Sequence, residues 1–248
     1  MTHSISRLSS PVRRAALLAV LGCSALSAHA QAKATSFLDG VSIYLGGVYI
    51  DVHAQSPSLT SYPETLPAGL HAGIRVGDAS TVGMGIAYRF NPKWSAELVL
   101  GIPPEHSVYG TEFIEPFGQI TLVKQAPPTA FLNYHFDDFT PGLSAFVGAG
   151  VNYTRFIKTR STGSGNAASG GTTRVDLTPS LGLAAHVGGT WQIDKNWSLV
   201  ATLAYADVKS DMTATTQANL GDGPTTLIRT TTIDFRPVVY SLSVGYSF

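Results

Sequence analysis

The feature that most constrains the fold of this chain is an alternation of apolar and small residues with a period of two. It is clearest in the C-terminal segment, where apolar and aromatic residues fall on one face and Ser or Gly on the other. The apolar face holds Val238, Tyr240, Leu242, Val244, Tyr246 and Phe248. Similar runs begin at Val82, Leu181 and Trp197. Because the side chains of a β-strand point alternately to its two faces, each run predicts a strand of about ten residues.

The opposite faces of these strands carry Ser, Gly, Ala and Thr, and few of the Lys and Glu that a water-facing surface uses. Charged residues make up 13% of the 248 residues, against about 25% in a typical soluble domain. Beyond residue 30, no apolar run reaches the length of about 20 residues that a transmembrane helix takes. These features favour strands that cross a membrane as a closed barrel.

Eight strands are predicted, and the segments between them alternate in length. The strands lie near 41–52, 80–90, 94–105, 127–137, 144–157, 178–191, 197–210 and 234–248. The connections at 91–93, 137–143 and 192–196 are short, whereas those at 53–79, 106–126, 158–177 and 211–233 are long. The predicted fold class is therefore all-β: an eight-stranded antiparallel transmembrane β-barrel with short periplasmic turns and long extracellular loops.

Aromatic residues near the predicted strand ends help to separate a membrane barrel from a soluble one. A soluble β-sandwich or a lipocalin-like barrel would show the same alternation and is the alternative. In a membrane barrel, aromatic residues form girdles where lipid meets water. The residues predicted to form the interfacial girdle are Trp94, Trp191, Trp197, Tyr246 and Phe248.

Residues 1–30 have the three-part layout of a secretory signal peptide, in which Arg7, Arg13 and Arg14 precede an apolar run and small residues. Cys23 leaves a lipoprotein as the alternative. The predicted domains are a signal peptide at 1–30 and an outer-membrane β-barrel at 31–248. A formal net charge of zero, without a Lys or Arg cluster, argues against a nucleic-acid partner. The single Cys excludes a disulfide scaffold, and no metal site or cofactor is predicted.

Several short motifs resemble the outer membrane protein W (OmpW) family of small eight-stranded barrels. They are Pro127-Pro128-Thr129, Val147-Gly148-Ala149-Gly150-Val151-Asn152-Tyr153-Thr154, the polar turn before Trp197, Tyr205-Ala206-Asp207 and the terminal Gly245-Tyr246-Ser247-Phe248. The resemblance implies a place in the outer membrane of Gram-negative cells. Known relatives look like channels for small hydrophobic molecules, including alkane-uptake barrels, and the resemblance implies that substrate class. The partners expected are the lipid bilayer, lipopolysaccharide, small hydrophobic ligands and the barrel-assembly machinery, which would act on the C-terminal strand.

The lumen of an eight-stranded barrel is narrow, because inward side chains nearly fill it, and a wide aqueous pore is therefore excluded. Inward-facing polar residues near the periplasmic end predict a lumen floor of Arg89, Glu97, Asn133 and His135. One interpretation is a paired polar plug that ties the barrel together. The other is a floor that also blocks straight passage, so that a ligand leaves by another route. Less polar residues predict an upper lumen with Phe131, Phe156 and Val239.

Two proline pairs lie opposite each other across the second long loop. Pro103-Pro104 ends the third predicted strand, and Pro127-Pro128 begins the fourth. Proline has no N–H to donate to a ladder, so strand pairing is weakened there. One interpretation is a lateral gap through which an apolar ligand leaves the lumen for the bilayer. The other is that both strands simply end at these prolines.

The predicted function is an outer-membrane channel for small hydrophobic molecules, and the alternative is a structural barrel or adhesin that acts through its extracellular loops. The first loop contains Leu59, Tyr62, Leu66 and Leu70, and could cap the lumen or serve as an adhesion surface. The third loop, 161–172, is rich in Gly and Ser and predicts a flexible segment. An enzyme is not predicted, because no Ser-His-acid spacing singles out a nucleophile and its base.

Overall fold

The computed structural model describes residues 38–66, 68–219 and 223–248. The predicted signal peptide and Cys23 lie outside these residues. The strands are β1 (Val41–Val52), β2 (Thr60–Tyr62), β3 (Ala72–Val76), β4 (Ala79–Asn91), β5 (Trp94–Gly101), β6 (Glu105–Glu112), β7 (Gln119–Ala126), β8 (Thr129–Thr140), β9 (Leu143–Ser161), β10 (Gly171–Leu177), β11 (Ser180–Gln192), β12 (Trp197–Ala206), β13 (Lys209–Asn219), β14 (Pro224–Asp234) and β15 (Pro237–Ser247). A 3-10 turn spans Glu115–Phe117, and helix α1 spans Gly163–Ser169.

Eight strands close into a ring, which we call the lower ring. Its order is β1, β4, β5, β8, the first part of β9, β11, β12 and β15, and all neighbours are antiparallel. The last strand closes the ring on the first, with a ladder from Ser42 opposite Ser247 to Val52 opposite Pro237. Each strand therefore has two partners, which leaves no open sheet edge toward lipid. The predicted eight-stranded antiparallel barrel is confirmed.

Above this ring, the connections predicted to be long loops are built largely of strands. β3, β6, β7 and the end of β9 pair as one sheet, and β10, β13, β14 and β2 pair as a second. We call these strands, together with α1, the upper barrel. The sequence pattern did not reveal these upper strands, because their outward residues are polar. On β13, for example, Asp211 and Gln217 face outward while Met212 and Ala214 are buried, so the strand does not resemble one that faces lipid.

Most of the chain breaks at a common level between the two halves, which we call the junction. The breaks lie at 77–78, 102–104, 127–128, 178–179, 207–208 and 235–236. β9 is the exception, because it runs unbroken from its ladders with β8 and β11 to its ladder with β7. Asp78 holds the end of β1 at this level. Its carboxylate accepts hydrogen bonds from the N–H of Val52 and the hydroxyl of Tyr49, both at 2.9 Å.

The outer surface changes from apolar to polar at the junction. On the lower ring, Leu181 and Leu183 are 76% and 75% exposed, and the outward residues of the other strands are also mostly large and apolar. On the upper barrel, the outward residues of β13 and β14 are mainly Thr and charged or amide residues. The lower ring therefore presents the band that suits lipid. Among the described residues, no helix is long and apolar enough to cross a membrane.

The predicted girdle residues lie at the short-turn end of the lower ring. Trp94 packs edge-on against Tyr134, and Trp197 packs in the same way against Tyr246, with ring centroids 5.1 and 5.0 Å apart. Phe248 continues the second pair, and Trp191 is 59% exposed. Asp194 fixes one turn, since its Oδ1 accepts from the backbone N–H of Trp197 at 2.8 Å. That these rings lie at the lipid–water boundary remains a prediction.

An arginine in the middle of the lipid band is expected to destabilise the barrel. Val187 points outward from β11 and is 49% exposed, and Val187→Arg should lower the free energy of unfolding by about 2–4 kcal/mol. Gln217→Arg, on the polar outer face of the upper barrel, is the matched control and should change it by less than about 0.5 kcal/mol. The measurement is urea unfolding in lipid vesicles. Equal effects of both substitutions would show that the lower ring is not the lipid-facing band.

Candidate functional site

The lumen contains two cavities, one on each side of the junction. The lower cavity, of about 160 Å³, is lined mainly by the lower ring, and the upper cavity, of about 90 Å³, by the upper barrel. Gln125 and Phe235 line both cavities and therefore lie between them. The ring of Phe235 stacks on Phe156, with 5.4 Å between centroids. Both cavities have mostly apolar walls.

A hydrogen-bonded group closes the lower cavity toward the short-turn end. Asn133 donates from Nδ2 to Oε2 of Glu97 at 2.7 Å, and its Oδ1 lies 2.7 Å from Nε2 of His186. An amide oxygen only accepts, so Nε2 of His186 carries the proton. Phe131 stacks on the imidazole of His186, with 3.8 Å between ring centroids. Gly148 makes the room for this group, because a Cβ there would collide with both Asn133 and His186.

The four residues predicted to form the lumen floor lie at two levels. Glu97 and Asn133 belong to the hydrogen-bonded group, whereas His135 lies nearer the turns and bonds through Nε2 to the hydroxyl of Ser95 at 2.8 Å. Arg89 is exposed at the end of β4, where its guanidinium donates to the carbonyl of Pro92 at 2.8 Å. The lumen floor predicted from the sequence did not include His186. The period of two does place it inward, but its partners come from strands distant in sequence.

The three residues predicted to line an upper lumen do not form one group. Phe131 packs on His186 in the lower cavity, and Val239 lines the same cavity. Phe156 lies at the junction against Phe235. The upper barrel supplies a different set of wall residues, because its strands were assigned to loops. Of the first loop, Leu59 and Leu66 line the upper cavity, whereas Tyr62 is 78% exposed.

The third loop, predicted to be flexible, contains helix α1. Thr162 caps its first turn by accepting from the N–H of Gly165 at 2.9 Å, and Gly170 ends it in a left-handed conformation, with φ 79°. Gly165 packs against the carbonyl of Ile120 so closely that a Cβ could not fit. Glycine composition suggested mobility, but at these positions it permits a cap and a close contact. The helix lies beside the upper cavity, which Gly165 and its neighbour Ala168 line.

The two proline pairs interrupt the sheet at the junction. The ladder of β5 with β8 ends at Val99 opposite Thr129, and pairing resumes only at Glu105 opposite Lys124 in β6 and β7. Between these pairs, the N–H of Gln125 donates to the carbonyl of Pro104 at 3.2 Å. Pro104 and Pro127 line the lower cavity, together with Leu100, Gly101 and Ile102. Leu100 and Ile102 are also exposed on the outer surface, so this part of the wall borders both the lumen and the outside.

A buried histidine lies in the upper barrel just above the junction. Nδ1 of His106 donates to the carbonyl of Gly77 at 2.8 Å, so Nε2 is left to accept from Nε2 of Gln125 at 3.0 Å. Burial lowers the pKa of His106 below its usual range, while the Gly77 bond and the charge of Asp78 oppose this. The N–H of Val52, and next the hydroxyl of Tyr49, keep the pKa of Asp78 low. At neutral pH the imidazole is therefore neutral beside an ionised carboxylate.

Comparison with known proteins gives consistent results. A sequence model of the OmpW family matches residues 45–248. Outer membrane protein W of Vibrio cholerae is 30% identical over 177 residues, which cover 71% of this chain and 76% of that protein. The dibenzothiophene metabolism operon protein PahQ of Pseudomonas aeruginosa is 26% identical over 171 residues, or 69% of this chain and 72% of that protein. The crystal structure of the outer membrane protein OprG from Pseudomonas aeruginosa superposes with a TM-score of 0.73 at 24% identity, and covers 85% of this chain and 96% of that one.

Acid is expected to loosen the upper barrel through His106. Because its pKa is lower in the folded chain than in the unfolded chain, the unfolded state binds more protons as the pH falls from about 7 to 5. The free energy of opening of β6 and β7, measured by amide hydrogen exchange at corrected intrinsic rates, should therefore decrease over this range.

Two variants separate this effect from a general effect of acid. His106→Gln is expected to abolish the decrease, whereas His53→Gln, which changes an exposed histidine, should retain it. A decrease of equal size in the His106→Gln variant would contradict the assignment to this residue.

Proposed function

The chain belongs to the OmpW family of outer-membrane barrels, and we propose that it is a channel for small hydrophobic molecules in the outer membrane of Gram-negative cells. The observation that supports this best is the pair of apolar cavities, one on each side of Gln125 and Phe235, inside a barrel too narrow for a water-filled pore. An apolar solute loses few hydrogen bonds with water when it enters such a cavity. A sugar would leave most of its hydroxyl groups without hydrogen-bonding partners there, which costs free energy.

The class of substrate also has support from the relatives. The name of PahQ assigns that protein to an operon for the metabolism of dibenzothiophene, an apolar aromatic compound. We extend this class to the present chain because the cavity walls have the matching character. No chemical step is proposed, and the barrel acts by providing a path.

The path that we propose leaves the lumen sideways at the junction. The group formed by Glu97, Asn133 and His186 closes the lower lumen toward the short turns, so a straight route to the periplasm would have to separate buried hydrogen-bonded side chains. The interrupted pairing near Pro104 and Pro127 lies above this group. A molecule that passes there would not have to break a comparable set of side-chain hydrogen bonds. An apolar molecule in the lower cavity would then pass beside Ile102 into the bilayer.

The proposed partners follow from this arrangement. The lower ring would contact the lipid bilayer, and the polar upper barrel would lie among lipopolysaccharide, with Lys124, Lys158 and Lys209 on its exterior. The barrel-assembly machinery would engage β15, the strand whose ladder with β1 closes the ring.

Sealing the interrupted ladder is expected to abolish uptake. Replacing Pro103, Pro104, Pro127 and Pro128 by Thr supplies N–H groups that can complete the pairing. Uptake of naphthalene by cells should fall to the level of cells that lack the chain, while uptake of arabinose stays unchanged. Pro179→Thr, at an exposed junction proline between β10 and β11, is the matched control and should leave naphthalene uptake intact.

Folding must be checked for the fourfold variant before its transport is interpreted. Migration of the unheated protein on a denaturing gel separates folded from unfolded barrels. Unchanged naphthalene uptake by a folded fourfold variant would refute the lateral path. If the unaltered chain raised the uptake of arabinose as much as that of naphthalene, relative to cells that lack the chain, the hydrophobic channel itself would be refuted.

A further inference from the structure

Arg229 places a half-buried cation in the wall of the upper cavity. It lies on the inward face of β14 and lines the cavity together with apolar side chains. Nη1 and Nη2 of its guanidinium each donate to the carbonyl of Ser169 at 3.4 Å, and they also reach the hydroxyls of Thr216 and Thr65 at 3.4 Å. Within the described part of the chain, no carboxylate forms an ion pair with Arg229.

These contacts use only part of what a guanidinium offers. Its hydrogen bonds in proteins are ordinarily about 2.7–3.2 Å long, so four contacts at 3.4 Å are weak ones. Arg carries five N–H donors in a planar fork that fits a carboxylate in a bidentate manner. A charge in an apolar setting is normally paired. Arg229 therefore retains the capacity to bind an anion from within the cavity.

The rest of the cavity selects what kind of anion fits. Its walls include Leu59, Leu66, Ile74, Val123, Val175 and Ile233. His106, at the junction, is neutral and has both ring nitrogens occupied, so it does not offer a second charge. None of the described residues that line the cavity is Asp or Glu, so no carboxylate of the wall would repel an anion. A carboxylate head with an apolar chain matches both parts of this site.

We propose that the upper cavity binds alkyl carboxylates, with the carboxylate on Arg229 and the chain against the apolar walls. This inference rests on the proposed function, since it names amphiphilic anions as one substrate class of the same channel. The binding step itself can be measured without transport. The neutral molecules of the proposed function need no such contact, so Arg229 distinguishes the two classes.

The test uses the full chain in phosphatidylcholine nanodiscs at pH 7.5, with radiolabelled octanoate and octan-1-ol as probes. Bound probe is measured by equilibrium dialysis against nanodiscs that lack protein. Arg229→Met keeps an unbranched stem and removes the charge and the N–H donors, and it should weaken octanoate binding about tenfold or more while leaving octan-1-ol binding unchanged. The matched control is Arg174→Met, which removes an exposed Arg of β10 that is already paired with Asp176. It should bind both probes like the unaltered chain.

Three results would overturn the inference. The first is octanoate binding by Arg229→Met equal to that of the unaltered chain. The second is an equal loss in Arg174→Met, which would assign the effect to surface charge. The third needs no variant and is tighter binding of octan-1-ol than of octanoate by the unaltered chain. Arg229→Lys keeps the charge without the fork, and it should retain part of the preference for octanoate even if Arg229→Met does not fold.

The outcome is separable from that of the channel proposal. Arg229-dependent octanoate binding, in a chain that does not raise naphthalene uptake, would support this site and refute the channel. If the chain raises naphthalene uptake but octanoate binding is the same in Arg229→Met as in the unaltered chain, the channel is supported and this site is refuted.

Discussion

Complete pairing of the backbone inside lipid is the constraint on which the rest of this structure depends. No water is present there to satisfy an N–H or C=O group, so the lower ring must close, as β15 does on β1. Closing with eight strands makes the lumen narrow. In a narrow lumen, a polar side chain needs a hydrogen-bonding partner close by, and small residues make room for such pairs. Gly148, beside Asn133 and His186, shows both requirements at one position.

The constraint ends where the lipid band ends, and the architecture changes at that level. In the upper barrel, β2 and β3 each lie at the end of a sheet, and water can satisfy such edges. Breaks and prolines are therefore tolerated at the junction and above it. The interrupted pairing at the proline pairs and the site at Arg229 thus lie where membrane solvation no longer dictates complete strand pairing.

The sequence predicts the part of the fold that lipid dictates, and much less of the rest. Alternation such as that from Val238 to Phe248 is forced by lipid on one side and a crowded lumen on the other, so it could be read directly. β13 and β14 alternate as well, but water on their outer face permits Thr and Asp, and their pattern resembles a polar loop. Helix α1 depends on the Thr162 cap and on a close contact of Gly165, neither of which composition reveals.

For the candidate site, the sequence predicts which side chains point into the lumen, but not which of them contact one another. Glu97, Asn133 and His186 each face inward by the period of two, yet their contact requires the registers of β5, β8, β9 and β11. Arg89 shares that direction but lies at the rim, because its position along β4 is close to the turn. Arg229 was missed for a different reason: its strand was assigned to a loop, so no inward direction could be given to it.

The course of β9 ties the two halves of the barrel together on one side of the molecule. The other chain segments that continue from one half to the other do so through an irregular junction, where backbone torsions can change without loss of a ladder. β9 instead carries its pairing with β8 and β11 directly into its pairing with β7, with one irregularity in register between Lys124 and Gln125 of β7. The lower ring and the upper barrel therefore share one continuous line of backbone hydrogen bonds, on the side of the ring opposite β1.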